Sequence, residues 1–358
     1  MKMNPQRKLL NPEQEAGVST LAEVARLARV SPATVSRAFN APHLLNPETL
    51  QRVNAAAEKL RYLPDGLARS LRRNRSMVIG AVMPALRHAY FASTVEGLQS
   101  TIAKRGYTLL LAISDFDEKA ELAAVRSMIR QGVDGFVLVG TQHDPALLPL
   151  LQERGKPFII TWSYDTVLAS VGFDHRRAIQ PVVNHLLDLG HRDIVAVMAF
   201  LNVSDRERER LAGIEDAFAR RGVRFPSDHV VYAGGSSLQD GRNAMRAVRA
   251  RYPSATAAIC ANDLLAAGVM MECAASGLSV PRDFSITGYG DLDIAAAVNP
   301  PITTIKTPAE DMGRLAADHL LARLAGETTL DHVELATELI VRGSTGPAKS
   351  AAFQGTIA

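Results

Sequence analysis

The chain has 358 residues, 47% hydrophobic and 22% charged, an ordinary globular composition with room for one large domain or two to three smaller ones. It contains no run of about 18 apolar residues that would make a membrane-spanning helix, and its start, MKMNPQRKLLNPEQEAG, has no apolar core of a secretory signal. The net charge of +3 is uneven: residues 1–76 hold 13 Lys or Arg against 6 Asp or Glu, and the rest of the chain holds 27 against 31. A basic head on a mildly acidic body points to a polyanionic partner for the head, although basic tails also occur for blander reasons.

Residues 1–17 are polar and aperiodic, which predicts a disordered tail. Residues 18–62 read as three short helices. TLAE, Thr20 to Glu23, is a capping box that opens the first, and Leu21, Val24, Ala25 and Ala28 then fall on one face. After a break at Arg29-Val30, Ser31 is a good N-cap and Pro32 suits the first helical position. Val35, Ala38 and Phe39 share the inward face of this second helix, so Ala33, Thr34, Ser36, Arg37 and Asn40 point away. The third opens at Asn46-Pro47 and turns Leu50, Val53, Ala57 and Leu60 inward.

Two short helices with a tight turn, the second presenting small polar residues and an arginine, match a helix-turn-helix. Small residues let a helix seat deep in a major groove, Thr and Ser can bond phosphates or base edges, and Arg37 can grip guanine through two hydrogen bonds. The helix N-termini at Thr20 and Ser31 offer free N–H groups to phosphates. The competing reading is a plain three-helix bundle with a solvated face. Residues 63–76 form a short helical hinge rich in breakers and arginines, too short to hold alone in water. It is either a solvated linker or a segment that folds on DNA and wedges Leu71 between base steps.

From Ser76 the texture changes. Apolar runs at 77–84, 108–114, 135–140, 157–162, 193–199, 229–234, 257–263 and 284–290 alternate with helical patterns, which predicts parallel strands covered on both faces. So many strands over residues 77–343 suit an α/β core of two doubly wound parallel-sheet subdomains facing a cleft, with ligands bound beyond the carboxyl ends of the strands. Residues 344–358 read as a tail. Cys260 and Cys273, the only cysteines, sit in apolar surroundings and are expected as buried thiols in a cytoplasmic protein. No phosphate loop, dinucleotide fingerprint, metalloprotease helix or nucleophile elbow occurs, and His88, His175 and His191 lack metal-ligand spacing. No catalytic residue, metal or cofactor is therefore expected.

TLAEVARLARVSPATVSRAFN, LRYLPDGLARSL, IGAVMP, GYTLLLA, VDGFVLVG, LGHRDIVAV, RLAGIEDAF, AICANDLLAAG and GLSVPRDFSITGYG, spanning about residues 19–342 in order, resemble the LacI/GalR family of bacterial transcription regulators. Through RARYPSATAAICANDLLAAGVMMECAASGL and GYGDLD the chain is similar to gluconate-type repressors of sugar-acid catabolism. The resemblance implies a small all-α helix-turn-helix head plus hinge helix on a periplasmic-binding-protein-like core. It further implies a homodimer or dimer of dimers on a palindromic operator, with a sugar or sugar-acid effector in the cleft and subdomains dividing near 77–175 plus 307–338 and 176–306. Carried over, Ala33, Thr34, Ser36, Arg37 and Asn40 fall at operator contacts, as do Ala68, Arg69 and Leu71 of the hinge. Two departures stand out: Arg29 sits where the family has a turn glycine, so a left-handed residue there is strained, and Gly290 sits where many members carry an aspartate.

For the effector, Tyr90 and Phe91 follow the first core strand and either line a pocket or pack their own core. Arg206 and Arg210 share a face of the helix opening at SDRERERLAG, as pocket residues suited to a carboxylate or as a solvated face. Asn262 ends a strand and can pair sugar hydroxyls, with Asp263 as a helix cap, and Asp291 is a candidate substitute for the missing aspartate. A solute-binding protein without DNA function, or an α/β enzyme, are the other classes weighed; the basic head argues against the first and the lack of a catalytic constellation against the second.

Overall fold

The computed structural model describes residues 19–63, 75–87, 89–327 and 332–349. The chain divides into two units, Met1–Ser76 and Met77–Ala358. The first unit contains α1 (Leu21–Ala28), α2 (Pro32–Asn40) and α3 (Pro47–Lys59). Each helix start carries its own signal. Thr20 Oγ1 accepts from the Glu23 amide at 3.3 Å while the Glu23 carboxylate accepts from the Thr20 amide at 2.7 Å, completing the capping box. Ser31 caps the Thr34 amide at 3.1 Å and Asn46 the Glu48 amide at 2.9 Å, each followed by proline at the first helical position. Val24, Ala25, Ala28, Val35, Ala38, Val53, Ala56 and Ala57 form the buried core, with Leu21, Phe39, Leu50, Leu60 and Tyr62 packed around it. Arg29 ends α1 at φ 55° and ψ 49°, the left-handed turn in which a Cβ is strained.

The second unit runs β1 (Val78–Met83), α4 (Ala89–Ala103), β2 (Thr108–Ile113), α5 (Glu118–Arg130), β3 (Gly135–Val139), α6 (Leu147–Glu153), β4 (Phe158–Thr161), β5 (Ser170–Gly172), α7 (His175–Ala178), α8 (Gln180–Asp188), β6 (Ile194–Met198), α9 (Asp205–Arg220), β7 (Val230–Tyr232), α10 (Leu238–Arg251), β8 (Ala257–Cys260), α11 (Asp263–Ala275), β9 (Ser285–Thr287), α12 (Asp293–Ala297), β10 (Thr304–Lys306), α13 (Ala309–Ala325), β11 (His332–Glu334) and β12 (Glu338–Ile340). The first lobe is built on a parallel sheet in the order β11-β5-β4-β3-β1-β2, the second on a parallel sheet β7-β6-β8-β9. An antiparallel pair, β10 and β12, accompanies the crossings between lobes.

The predicted strands are present, shortened at their ends. The three-residue strands β5, β10, β11 and β12 carry too little pattern to be read from sequence. Period-two alternation sorts the first sheet: Val82, Phe136, Leu138 and Ile160 meet α5 and α6, while residues such as Ile79, Met83 and Val137 join the other face, where Phe91, Leu98, Met312 and Leu320 lie. Helices cross closely through paired glycines in both lobes. A Cβ on Gly97 of α4 would lie 2.1 Å from the Glu310 carbonyl oxygen, and one on Gly313 of α13 2.0 Å from that of Thr94. Gly241 and Gly268 stand in the same relation for α10 and α11, at 2.3 and 2.1 Å from the carbonyl oxygens of Leu265 and Leu238.

The boundary expected at residue 343 is corrected by the structure. Ser344 is fully buried, accepting from the Thr303 amide at 2.8 Å and donating to the Ile286 carbonyl, and Ala348 N–H donates to the Leu189 carbonyl at 2.8 Å. Residues 344–349 are therefore a strap on the second lobe, held by backbone hydrogen bonds that composition does not reveal. Cys260 and Cys273 are free and buried. No described helix is long and apolar enough to cross a membrane, and among the described residues no His, Cys, Asp and Glu cluster could hold a metal.

Candidate functional site

In the first unit, α1 and α2 meet through the left-handed Arg29 turn, and the outward face of α2 is short in side chain. Ala33 and Arg37 are exposed and Thr34, Ser36 and Asn40 half-buried. Asn40 Nδ2 donates to the Ser36 carbonyl at 2.8 Å and Ser31 Oγ lies 2.9 Å from Thr34 Oγ1, so these hydroxyls and amides are held in place on the helix. Among the described residues Arg37 has no such tie, and its neighbours on the outward face have short side chains. Thr20 and Ser31, exposed, cap their own helices. Ala68, Arg69 and Leu71 lie outside the described residues, as does His88.

In the second unit, the strands of both sheets end at a cleft, and the loops after them build a pocket. Tyr90 and Phe91 follow β1, Phe116 follows β2, and Trp162 follows β4. Tyr90 and Phe91 rings are 4.7 Å apart, and Trp162 stands 5.1 and 5.3 Å from them, an aromatic wall. Phe91 is also a fully buried core side chain, so the two readings of this pair both hold. Trp162 takes φ 65°, costly for a bulky residue, and is held there: its amide faces Met312 Sδ at 3.1 Å, its indole N–H donates to Thr94 Oγ1 at 3.2 Å and its carbonyl accepts from His175 Nε2 at 2.6 Å.

That last bond fixes the imidazole. A carbonyl only accepts, so Nε2 carries the proton and Nδ1 is the acceptor facing Arg210 Nη1 and the Tyr289 hydroxyl, each at 3.2 Å. Burial, followed by the charges of Arg210 and Arg206, holds His175 well below its usual pKa and keeps it neutral. The Arg210 guanidinium lies 4.7 Å over the Tyr289 ring. Its Nη2 is 3.7 Å from Glu207, while its buried Nε–H has no hydrogen-bond partner among the described residues. Glu207, in the first turn of α9, spends its other oxygen on the amides of Ala199 and Phe200 at 2.9 and 2.7 Å, shaping the loop that carries Phe200 into the pocket.

The second arginine is tied across the cleft. Arg206 Nη1 pairs with Asp205 at 3.0 Å, and Asp205 accepts from the amide and hydroxyl of Thr141 on the first lobe at 2.7 and 3.0 Å. Burial pushes Asp205 up, but Arg206 and the Thr141 donors outweigh it and hold it at about 2. Arg208 donates to Gln142, and Phe116 of the first lobe stacks on Phe200 of the second with ring centres 4.5 Å apart. These ties leave the pocket about 30 Å³ of volume open to a water-sized sphere, room for a couple of waters and not for a sugar ring. The inner pocket is shut in this state, and a sugar-sized ligand fits there only when the lobes part.

Of the sequence candidates, Tyr90, Phe91, Arg206 and Arg210 line this pocket together and Asn262 and Asp291 do not. Asn262 is the N-cap of α11, accepting from the Leu265 amide at 2.9 Å, and Asp291 pairs with Arg342 at 2.6 Å. The expected division of labour at CAND is reversed: Asp263, fully buried, accepts from the Leu292 amide at 2.8 Å and Thr304 Oγ1 at 2.6 Å instead of capping the helix. Trp162, His175, Tyr289, Phe116 and Phe200 were missed. Trp162 was findable as the single tryptophan directly after a strand, and the others come together only in three dimensions.

Residues 20–65 match the family described as bacterial regulatory proteins, lacI family, and residues 183–345 a periplasmic binding protein-like domain. The ribose operon repressor of Escherichia coli K12 is 30% identical over 331 residues, covering 91% of this chain and all of that protein. The HTH-type transcriptional regulator GntR of the same organism is 30% identical over 86% of this chain and 92% of that one. The lac repressor dimer bound to operator and the anti-inducer ONPF superposes with a TM-score of 0.83 at 28% identity, covering 92% of this chain and 100% of that one. A helix-turn-helix on the same chain as a two-lobed ligand cleft defines a DNA-binding transcription regulator. The chain belongs to the lacI family of bacterial regulatory proteins.

Proposed function

We propose that this protein represses a carbohydrate-catabolism operon, binding a palindromic operator as a homodimer or dimer of dimers in the cytoplasm, and that a small sugar acid in the core cleft controls it. The observation that carries the acid is Arg210: a guanidinium nine-tenths buried, set against Tyr289 and the neutral His175, with one N–H left without a partner among the described residues. A buried donor in that state is costly, and a ligand carboxylate would satisfy it with a charge-assisted bond. The resemblance of RARYPSATAAICANDLLAAGVMMECAASGL and GYGDLD to gluconate-type repressors supports the same class of effector. Thr20, Ser31, Ala33, Thr34, Ser36, Arg37 and Asn40 would face the operator. The effector acts by shifting the balance between closed and parted lobes, so it must bind one of them more tightly.

Calorimetric titration with gluconate, galactonate and the corresponding neutral sugars tests the effector. An acid should bind and Arg210→Ala should weaken it by about tenfold or more. Binding of neutral sugars alone, or an undiminished affinity in Arg210→Ala, overturns the acid.

A further inference from the structure

The pocket has a larger neighbour that the reading above leaves unused. Tyr90, Gly290 and Thr307 line both cavities, but the outer chamber has a volume of about 520 Å³ against about 30 Å³ for the inner one. Its walls come from both lobes: Ser93 on α4 and Glu310 on α13 face Leu264, Leu292, Asp293 and Ile294 of the second lobe.

Gly290 stands where the two cavities meet. Its φ of +123° suits glycine alone, and a Cβ built there would stand 3.4 Å from Asp263 Oδ2 and 3.7 Å from the Tyr90 ring. Any side chain at 290 would occupy the space between those neighbours. As built, the strand-end backbone presents only a hydrogen to Tyr90.

The chemistry of the chamber is lopsided. Among the described residues, three carboxylates, Asp291, Asp293 and Glu310, line it with one cation, Arg87. Arg87 is bound to Asp115, both guanidinium nitrogens 3.0 Å from one oxygen, and Asp291 to Arg342 at 2.6 Å. Asp293 and Glu310 are exposed at the rim. Carboxylates accept hydrogen bonds and repel a second anion, while Leu264, Leu292 and Ile294 offer an aliphatic wall. A ring with a C–H face and hydroxyl edges suits both.

We propose that the chamber binds a neutral polyhydroxylated ring carried as an arm on a ligand whose carboxylate end occupies the Arg210 pocket, so that the effector is a glycosylated sugar acid and not a lone one. This rests on the acid-effector reading and extends it. With the lobes parted, the arm runs past Tyr90 of the first lobe and Gly290 of the second, joins the two cavities into a single site and touches both lobes.

The test is calorimetric titration of the full chain with gluconate and with three glycosyl-gluconates of different sugar and linkage: lactobionate, maltobionate and cellobionate. At least one glycosyl-gluconate should bind about tenfold or more tightly than gluconate. The double substitution Asp293→Asn and Glu310→Gln, at the exposed rim, should remove most of that gain and leave gluconate affinity as it was. Ser93→Trp, which fills the chamber, should do the same by exclusion, with gluconate binding as the check that the variant is folded. Gluconate binding with no gain from any of the three overturns the chamber and leaves the acid pocket standing. Binding of none of the acids overturns both.

Discussion

Single side chains set what each half of the protein can recognise. Arg37 is the long exposed side chain on an otherwise short-sided helix face, so its loss should remove discrimination at one base pair of the operator. Arg37→Ala should cost about 1–3 kcal/mol of specificity in a gel-shift competition while ligand binding stays intact, and unchanged competition would remove Arg37 from base reading. Asp263 offers a pH test. Burial raises its carboxyl to about 6, against the bonds from Thr304 and Leu292 and the charge of Arg342, which lower it, while nearby Asp291 adds to the rise. The folded state then holds a proton that the unfolded chain, titrating near 4, releases earlier. Its contribution to stability is present in full below about pH 4 and is lost as pH rises through about 6. In Asp263→Asn that loss should vanish, so urea melts of the core should show the variant gaining on the parent between pH 4 and 7. Parallel pH profiles would refute the assignment. These features were unequally legible: Arg37 followed from helical spacing, whereas the burial of Asp263 under the Gly288–Gly290 loop depends on strands 20 to 40 residues further along the chain.

At the scale of elements, the closest contacts are helix on helix through glycine. The Cβ of Gly313→Ala would meet the Thr94 carbonyl oxygen at 2.0 Å, and backbone cannot swing aside as a side chain can. Although alanine favours helix by about 1 kcal/mol, overpacking costs about 1–3 kcal/mol or more, and the steric term should win. Gly313→Ala should lower the thermal midpoint of the core, and a midpoint equal to or above the parent's would show that α4 and α13 can slide apart freely. The sequence disclosed these helices by their periodicity but not their crossings, since a glycine in a helix reads equally as a weak spot. Arg29 is the reverse case: the resemblance to a family with glycine at this turn implied a strained left-handed residue, and Arg29 takes φ 55°.

For the core as a whole, the consequential fact is that the inner pocket of the cleft is shut. Asp205 accepting from Thr141, Arg208 donating to Gln142 and the Phe116–Phe200 stack close the mouth from residues far apart in sequence. Asp205→Ala deletes the buried carboxylate that joins Arg206 to the first lobe, which should shift the population toward parted lobes. Small-angle scattering should then report a larger radius of gyration without ligand, and stopped-flow binding a faster association. Unchanged scattering and association would mean that the closed state rests on the other ties.

By itself the sequence determined the order of elements, the basic helix-turn-helix with its outward residues, the alternation of strand and helix that makes parallel sheets, and the candidates Tyr90, Phe91, Arg206 and Arg210. The elements and the shared face of Arg206 and Arg210 depend on local rules, caps, periodicity of 3.6 or 2 and charge along a few turns, while the pocket roles of Tyr90, Phe91 and Arg210 were implied by the family resemblance. Only the tertiary structure decided that Asn262 caps a helix and Asp291 serves Arg342, that Trp162, His175 and Tyr289 complete the pocket, and that residues 344–349 are strapped to the second lobe. Apart from the Asn262 cap, made to Leu265 three residues on, those outcomes are set by hydrogen bonds between groups 13 to 159 residues apart, and a buried polar group goes to whichever partner the packed fold brings within about 3 Å.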